Sequence, residues 1–244
     1  MSDPEKKRVR GSFDTIATKY DDWYLTPLGE YAEKCEMDAV VPALGVKEDD
    51  LVLDMGVGTG RYLPRMMDAE CVTVGLDIST KMLSAALNRA RRLMPVRITL
   101  LCADCETLPF RDRVFNRILS VTTLEFVPRP DKTLKELFEA LREGGVLVLG
   151  VLGLTNPWAY KRMRKREQKE TVWSYAHFFR PNELRRIVAE RGFKVESLKG
   201  AVFAPPICPE GLLDIFSKFD RCLGRDILFR NFGAFLVLRG VKPR

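Results

Sequence analysis

The chain has 244 residues, with 40 Lys and Arg against 33 Asp and Glu, a formal charge of +7 and a sequence pI near 9.1. That length suits one α/β domain with appendages or at most two small domains, and 46% hydrophobic residues furnish a substantial core. No apolar run approaches the ~18 residues that a membrane span needs, and the charged stretch Met1 to Arg10 lacks the apolar heart of a signal peptide, so a cytosolic location is expected.

Ser12 or Asp14 can open a first helix, with Phe13, Ile16, Ala17 and Tyr20 on one face. Thr26-Pro27 caps a second helix that buries Leu28, Tyr31, Cys35 and Ala39. Between the two, Tyr20 to Leu25 is dense in aromatics and reads as a helical lid. Leu51 to Leu53 is a short apolar strand that ends in Asp54, and Gly56, Gly58 and Gly60 follow at alternate positions. Such a turn lets backbone approach a ligand closely, since no Cβ intervenes. A helix opening at Gly60-Arg61 adds free N–H groups that favour a carboxylate or phosphate. The dinucleotide fingerprint puts its third glycine where this chain has Arg61, and no Gly-Lys-Ser/Thr follows, which excludes a Walker loop.

Leu63, Met66 and Met67 form a short helix, and Cys71 to Leu76 a second strand ending at Asp77. An acid there is placed to take both hydroxyls of a ribose, because a carboxylate offers two acceptor oxygens. Ser79-Thr80 caps a helix burying Leu83, Ala86, Leu87 and Ala90 and stopping at Pro95. Strand three, Arg97 to Cys102, runs into Ala103-Asp104-Cys105-Glu106-Thr107-Leu108-Pro109-Phe110. Strand four is Arg117 to Val121, followed by Thr122 to Val127. A helix from Asp131 to Arg142 closes at Gly144-Gly145, and strand five spans Val146 to Leu152. Strands alternating with helices argue a parallel sheet, with ligands beyond the carboxyl ends of the strands. Asp54, Asp77 and Asp104 each close one of three successive strands on that edge.

The second half is basic from Lys161 to Lys169, then aromatic from Trp173 to Phe179. A helix spans Pro181 to Arg191, strand six Phe193 to Leu198 and strand seven Ala234 to Arg239. The excursion 201–233 between them is too long for a hairpin turn; it carries Leu212, Ile215, Phe216, Phe219 and Leu223 on one side of a helix. The six cysteines are scattered, and Cys102 and Cys105 have no second pair or nearby histidine, which argues against a metal or redox site.

Asp54-x-Gly56-x-Gly58-x-Gly60 resembles motif I of the class I S-adenosylmethionine (SAM) methyltransferases, and Ala103 to Phe110 their G-D-A-x-x-L-P-F block. The flavour is similar to the ubiquinone/menaquinone C-methyltransferases of the type 11 family. The resemblance implies a three-layer Rossmann-like sandwich, a seven-stranded mostly parallel sheet with strand seven antiparallel, and helical lids at both ends. One domain, 1–244, is implied: an N-terminal lid 1–45, a SAM-binding core 46–153 and cap insertions 154–180 and 201–233. It further implies that Asp104 accepts from the adenine amino group, that the Cys105 N–H reaches the ring, and that the Tyr20–Leu25 segment covers the cofactor. The implied cofactor-binding set is Tyr20, Asp54, Gly56, Gly58, Gly60, Asp77, Ile78, Met82, Asp104, Cys105, Glu106, Ser120 and Val121. Cysteine replaces the common alanine at 105, and Glu125 stands where family members often carry histidines.

The implied reaction is in-line methyl transfer to a small or medium-sized, partly apolar acceptor. The acceptor itself is not legible, and the catalytic group stays open among Glu125, His177 and Tyr24. The rival readings are an RNA methyltransferase using 161–169, a SAM-binding protein without turnover, and lipid contact through Leu212 to Leu223. A charge run is commonly a solvated face, so no specific nucleic acid is expected. The acceptor cavity is expected between the N-terminal helices and the 201–233 excursion, opening onto Thr122 to Glu125.

Overall fold

Seven strands form one sheet in the order β3-β2-β1-β4-β5-β7-β6. They are β1 (Leu51–Met55), β2 (Val72–Asp77), β3 (Ile98–Cys102), β4 (Phe115–Val121), β5 (Leu141–Leu152), β6 (Lys194–Ala201) and β7 (Phe235–Val241). All run parallel except β7, which is antiparallel to both β5 and β6. This computed structural model describes residues 3–93, 97–168, 171–223 and 229–244, leaving aside the side chains at 166, 168, 221 and 223. The expected helix stop at Pro95, Lys169 of the basic stretch and the Leu223 side chain therefore lie outside the described residues.

The helices are α1 (Pro4–Ile16), α2 (Pro27–Leu44), α3 (Leu63–Asp68), α4 (Thr80–Arg91), α5 (Pro130–Ala140), α6 (Pro157–Gln168), α7 (Pro181–Glu190) and α8 (Leu213–Leu223). Successive strand residues face opposite sides, so each strand feeds two cores. Val52, Leu119, Val148 and Val237 pack with Tyr31, Cys35 and Val40 of α2 and Leu213 of α8. Leu53, Ile118, Leu147 and Leu238 pack with Leu134 and Leu137 of α5 and Leu184 and Val188 of α7. Each fully buried aliphatic side chain contributes about 1.5–3 kcal/mol relative to exposure. Strand β5 is buried at every position from Gly145 to Leu152, as a strand covered on both faces must be.

Several boundaries differ from the sequence reading. The first helix starts at Pro4, not Ser12 or Asp14, because the Asp3 side chain accepts from the Glu5 N–H at 3.0 Å and Pro4 sets the first turn. Tyr20 consequently falls in a separate 3-10 turn, Tyr20–Leu25. The glycine loop does not run straight into a helix, since α3 opens only at Leu63 and is six residues long. An anion site at that helix terminus is therefore not built. Helix α5 ends at Ala140, and Gly144-Gly145 lie inside β5. There Gly144 N–H donates to Lys242 O at 2.8 Å, and Lys242 Nζ takes the carbonyls of Phe138 and Leu141 at 2.6 and 2.8 Å. A lysine side chain thus satisfies helix-end carbonyls, leaving the glycines free to extend the strand.

Candidate functional site

Strand order reverses between β1 and β4, and the loops leaving their carboxyl ends diverge around a cleft. Its floor is Gly56, Gly58, Leu76, Asp77 and Ile78. Ala103 to Glu106 form one wall and Val121 to Thr123 the other, while Lys6, Val9 and Phe13 of α1, together with Tyr20, lie over them. Gly56 has φ +77°, and a Cβ there would stand 2.0 Å from Thr123 Oγ1, so only glycine lets the β1 and β4 loops meet.

Asp77 is the polar centre of the floor. Its Oδ2 accepts from Gly58 N–H at 2.9 Å and its Oδ1 from Ser79 N–H at 2.8 Å. Burial pushes this carboxyl up, against the lowering effect of those N–H groups. Ser79 caps α4 by accepting from Met82 N–H at 3.1 Å and donates to Asp14 of α1 at 2.6 Å. The cover is thereby fastened to the floor.

The wall after β3 is ionic. Lys6 Nζ sits 2.6 Å from Asp104 Oδ2 and 2.7 Å from Glu106 Oε2. The fully buried Glu106 also receives Arg129 Nε at 2.8 Å and Arg129 N–H at 3.1 Å. Burial pushes Asp104 up, but Lys6 and the Glu106 N–H outweigh it and hold the carboxyl below its ordinary range. Burial pushes the neighbouring Cys105 thiol up to about 12, leaving it inert.

Of the sequence-derived set, Tyr20, Gly56, Gly58, Asp77, Ile78, Met82, Asp104, Cys105, Glu106 and Val121 line the cleft. Asp54, Gly60 and Ser120 do not. Asp54 is buried beneath the loop, pushed up to about 7 by burial and by Asp77. Gly60 packs on Leu63 and Ala86, and Ser120 is buried within β4.

Nor do the three catalytic candidates reach the cleft wall. The His177 ring is half exposed and pairs through Nε2 with Glu183 Oε1 at 2.7 Å, so it organises the start of α7. Tyr24 lies under the Arg61 guanidinium, 3.7 Å from ring centroid to Cζ. Glu125 is buried beside the cleft, with Oε1 accepting from Leu152 N–H at 3.1 Å, and burial pushes it up to about 8.

Three participants escaped the sequence reading. Lys6 was passed over because it lay upstream of the expected first helix. Asp21 accepts from Thr59 Oγ1 at 2.9 Å, Arg61 at 3.1 Å and Arg89 at 2.6 Å, tying the aromatic turn to the glycine loop. Phe126 lines the cleft and stacks edge-on against Phe13 at 5.0 Å. Conversely, none of the described residues of the 201–233 excursion, expected to border the cavity, lines the cleft. Its Asp220 binds Tyr31 of α2 and accepts from Val202 N–H at 2.6 Å, turning α8 toward α2.

Residues 53–149 match the family described as a methyltransferase domain. An uncharacterized protein of Methanocaldococcus jannaschii is 30% identical over 182 residues, 75% of this chain and 80% of that protein. An uncharacterized protein of Mycobacterium tuberculosis is 32% identical over 190 residues, 78% of this chain; the match spans 62% of that relative's length. Among solved structures, a SAM-dependent methyltransferase of Thermotoga maritima, described as a possible histamine N-methyltransferase, superposes with a TM-score of 0.71. It is 25% identical, covering 96% of this chain and 99% of that one.

Proposed function

We propose that this chain is a class I SAM-dependent methyltransferase that transfers the methyl group of SAM to a small or medium-sized, partly apolar acceptor. The observation that carries this reading is the Asp77 carboxylate at the end of β2, oriented by Gly58 and Ser79 N–H groups beside a glycine loop that tolerates no Cβ at 56. Asp77 accepts backbone N–H groups and, with about four acceptor sites on its two oxygens, keeps room for the hydroxyls of a ribose. Asp104 and the Cys105 N–H take the adenine edge, and Ile78, Met82 and Phe126 supply apolar walls. SAM, when bound, supplies a sulfonium methyl open to in-line attack.

The protein's contribution is alignment and exclusion of water, which can supply ~7–11 kcal/mol without a catalytic side chain. The cover formed by α1 and Tyr20 shields the reacting atoms. Asp54 and Gly60 act from beneath, shaping the loop. No RNA role is proposed for the 161–169 stretch, because Arg162 turns between two indole rings and Arg164 stacks over Tyr160 at 5.5 Å.

Calorimetry with SAM tests the reading. Asp77→Ala should weaken SAM binding about 10- to 100-fold with the fold retained, since truncating one partner of such hydrogen bonds costs roughly 1–3 kcal/mol. Tighter binding of NAD than SAM by the wild type, or unchanged affinity in the variant, overturns it. Binding without transfer of labelled methyl to any component of a metabolite extract would favour a protein without turnover.

A further inference from the structure

Arg162 of α6 lies between two aromatic rings, with Glu36 and Glu125 facing it. Its Cζ lies 5.2 Å from the ring centroid of Trp158 and 4.8 Å from that of Trp173. Its Nη1 is buried with no hydrogen-bond partner among the described residues. Arg61, which acts on the same Glu36, is paired with both Asp21 and Glu33 through its two Nη atoms, and only its Nε is buried without a partner among the described residues. A desolvated guanidinium normally takes a carboxylate or phosphate in a bidentate fork, and here its Nη1 corner is open among the described residues.

The rings around Arg162 lead to the cofactor cleft on both sides. Trp173 lies 6.3 Å from Phe126, which lines the cleft. Trp158 lies 6.1 Å from Trp23, Trp23 4.8 Å from Tyr24, and Tyr24 6.3 Å from Tyr20, which lines the cleft as well. Within this arc, next to Phe126, is Glu125. Its Oε1 is taken by Leu152 N–H, and its Oε2 is buried without a partner among the described residues. Because burial pushes this carboxyl up to about 8, it holds its proton at neutral pH, and the proton belongs on the open Oε2. The remaining acid facing Arg162, Glu36, is pushed up to about 7 and so is only partly charged. The Tyr62 hydroxyl, buried on the Glu36 side, is likewise unpaired among the described residues. A buried polar group left without a partner is costly, so such groups call for an explanation. Arg162 Nη1, Glu125 Oε2 and the Tyr62 hydroxyl are all able to donate.

We propose that Arg162 anchors a carboxylate on the methyl acceptor, which makes the substrate class an organic acid with an apolar or aromatic body. The proposal rests on the methyltransferase reading above for the word acceptor, and on the open Nη1 corner of Arg162 for the word acid. The aromatic arc supplies the apolar lining, and Glu125 donates to an oxygen of the same ligand.

The test uses the 244-residue chain and three chain-matched probes: octanoate, octanamide and octylamine. Binding is followed by fluorescence of the tryptophans that flank Arg162, with and without saturating S-adenosylhomocysteine. Octanoate should bind at least tenfold tighter than the amide or the amine. Arg162→Met should lower octanoate affinity at least tenfold and leave S-adenosylhomocysteine affinity unchanged, with Arg162→Lys in between. Equal or tighter binding of octylamine, no binding of octanoate, or full octanoate affinity in Arg162→Met overturns the proposal. Should Arg162→Met fail to fold, Arg162→Lys and the wild-type contrast between acid and amide still decide it. Failure of S-adenosylhomocysteine to bind overturns the methyltransferase reading instead, since the acid site is titrated separately on the protein alone.

Discussion

Lys6 Nζ, 2.6 Å from Asp104 Oδ2, joins the first helix to the end of β3 across the cofactor cleft, 98 residues away in sequence. Burial pulls the Lys6 amine down, but Asp104 and Glu106 outweigh it and hold it above lysine's ordinary value. Removing one partner of a buried ion pair costs about 3–5 kcal/mol when nothing replaces it. Arg129 remains on Glu106, so Lys6→Met should destabilise the protein by a smaller amount, about 2–3 kcal/mol, in urea unfolding. A loss under about 0.5 kcal/mol would mean that α1 is not fastened here.

Gly56 and Gly58 both have positive φ, +77° and +54°, but their surroundings differ. An added Cβ at 56 meets Thr123 Oγ1 at 2.0 Å, whereas at 58 the nearest atom is 3.9 Å away. Gly56→Ala should therefore lower stability by about 1–3 kcal/mol through displacement of the β4 loop. Gly58→Ala should melt closer to wild type yet lose SAM affinity, because Gly58 lines the cleft and the added methyl takes up space there. Equal melting temperatures for the two variants would count against this account.

Glu125 gives the stability curve a defined slope. Its folded-state pKa is raised to about 8, whereas the unfolded chain titrates near the ordinary glutamate value of about 4.3. The folded protein thus holds a proton that the unfolded chain releases, and stability falls as pH rises between those limits. Asp54 and Glu36, both at about 7, add to the slope lower in the window. Between pH 7 and 8 Glu125 dominates, and Glu125→Gln should remove a decline of roughly 1 kcal/mol per pH unit there. Urea midpoints of the two proteins at pH 5.5, 7 and 8 check it; parallel curves refute it.

Val202, a β-branched residue at φ +60°, is held by Asp220, which accepts from its N–H at 2.6 Å and from Phe203 N–H at 3.3 Å. Tyr31 joins the same carboxylate and accepts from Ala204 N–H at 3.0 Å. Asp220→Ala leaves these groups unpaired, which costs about 1–3 kcal/mol, and it frees the strained residue. Limited proteolysis should then cut within 201–212 well before the sheet unfolds. Cleavage no faster than in wild type would show that α8 is held by apolar packing alone.

The strands, the helix caps at Thr26 and Ser79, the glycine loop and the acids at 54, 77 and 104 were legible in the sequence, because each rests on residues within one turn or strand of one another. Hydrophobic periodicity reports which face of an element is buried, so the layered fold and its ligand-bearing edge followed from the order of elements. The start of α1 rests on the local Asp3 cap and Pro4, whereas the end of α5 failed because a distant partner intervened. Lys242 takes the end of α5 and lets Gly144-Gly145 join β5, and no local pattern encodes a lysine a hundred residues on.

The same limit divides the site itself. The sequence pointed to a ligand-bearing edge and to Asp77 and Asp104, both of which line the cleft, and to Asp54, which lies buried beneath it. Only the tertiary structure decided that Lys6 reaches Asp104, that Asp21 clasps the glycine loop, that His177 faces Glu183, and that the 201–233 excursion leans on α2. It also separated Arg162 from its basic neighbours and set it between Trp158 and Trp173. In sequence that arginine is one charge in a run, indistinguishable from a solvated face. Desolvation and aromatic contact come from side chains brought together by packing, and it is these that change what a charged group can bind.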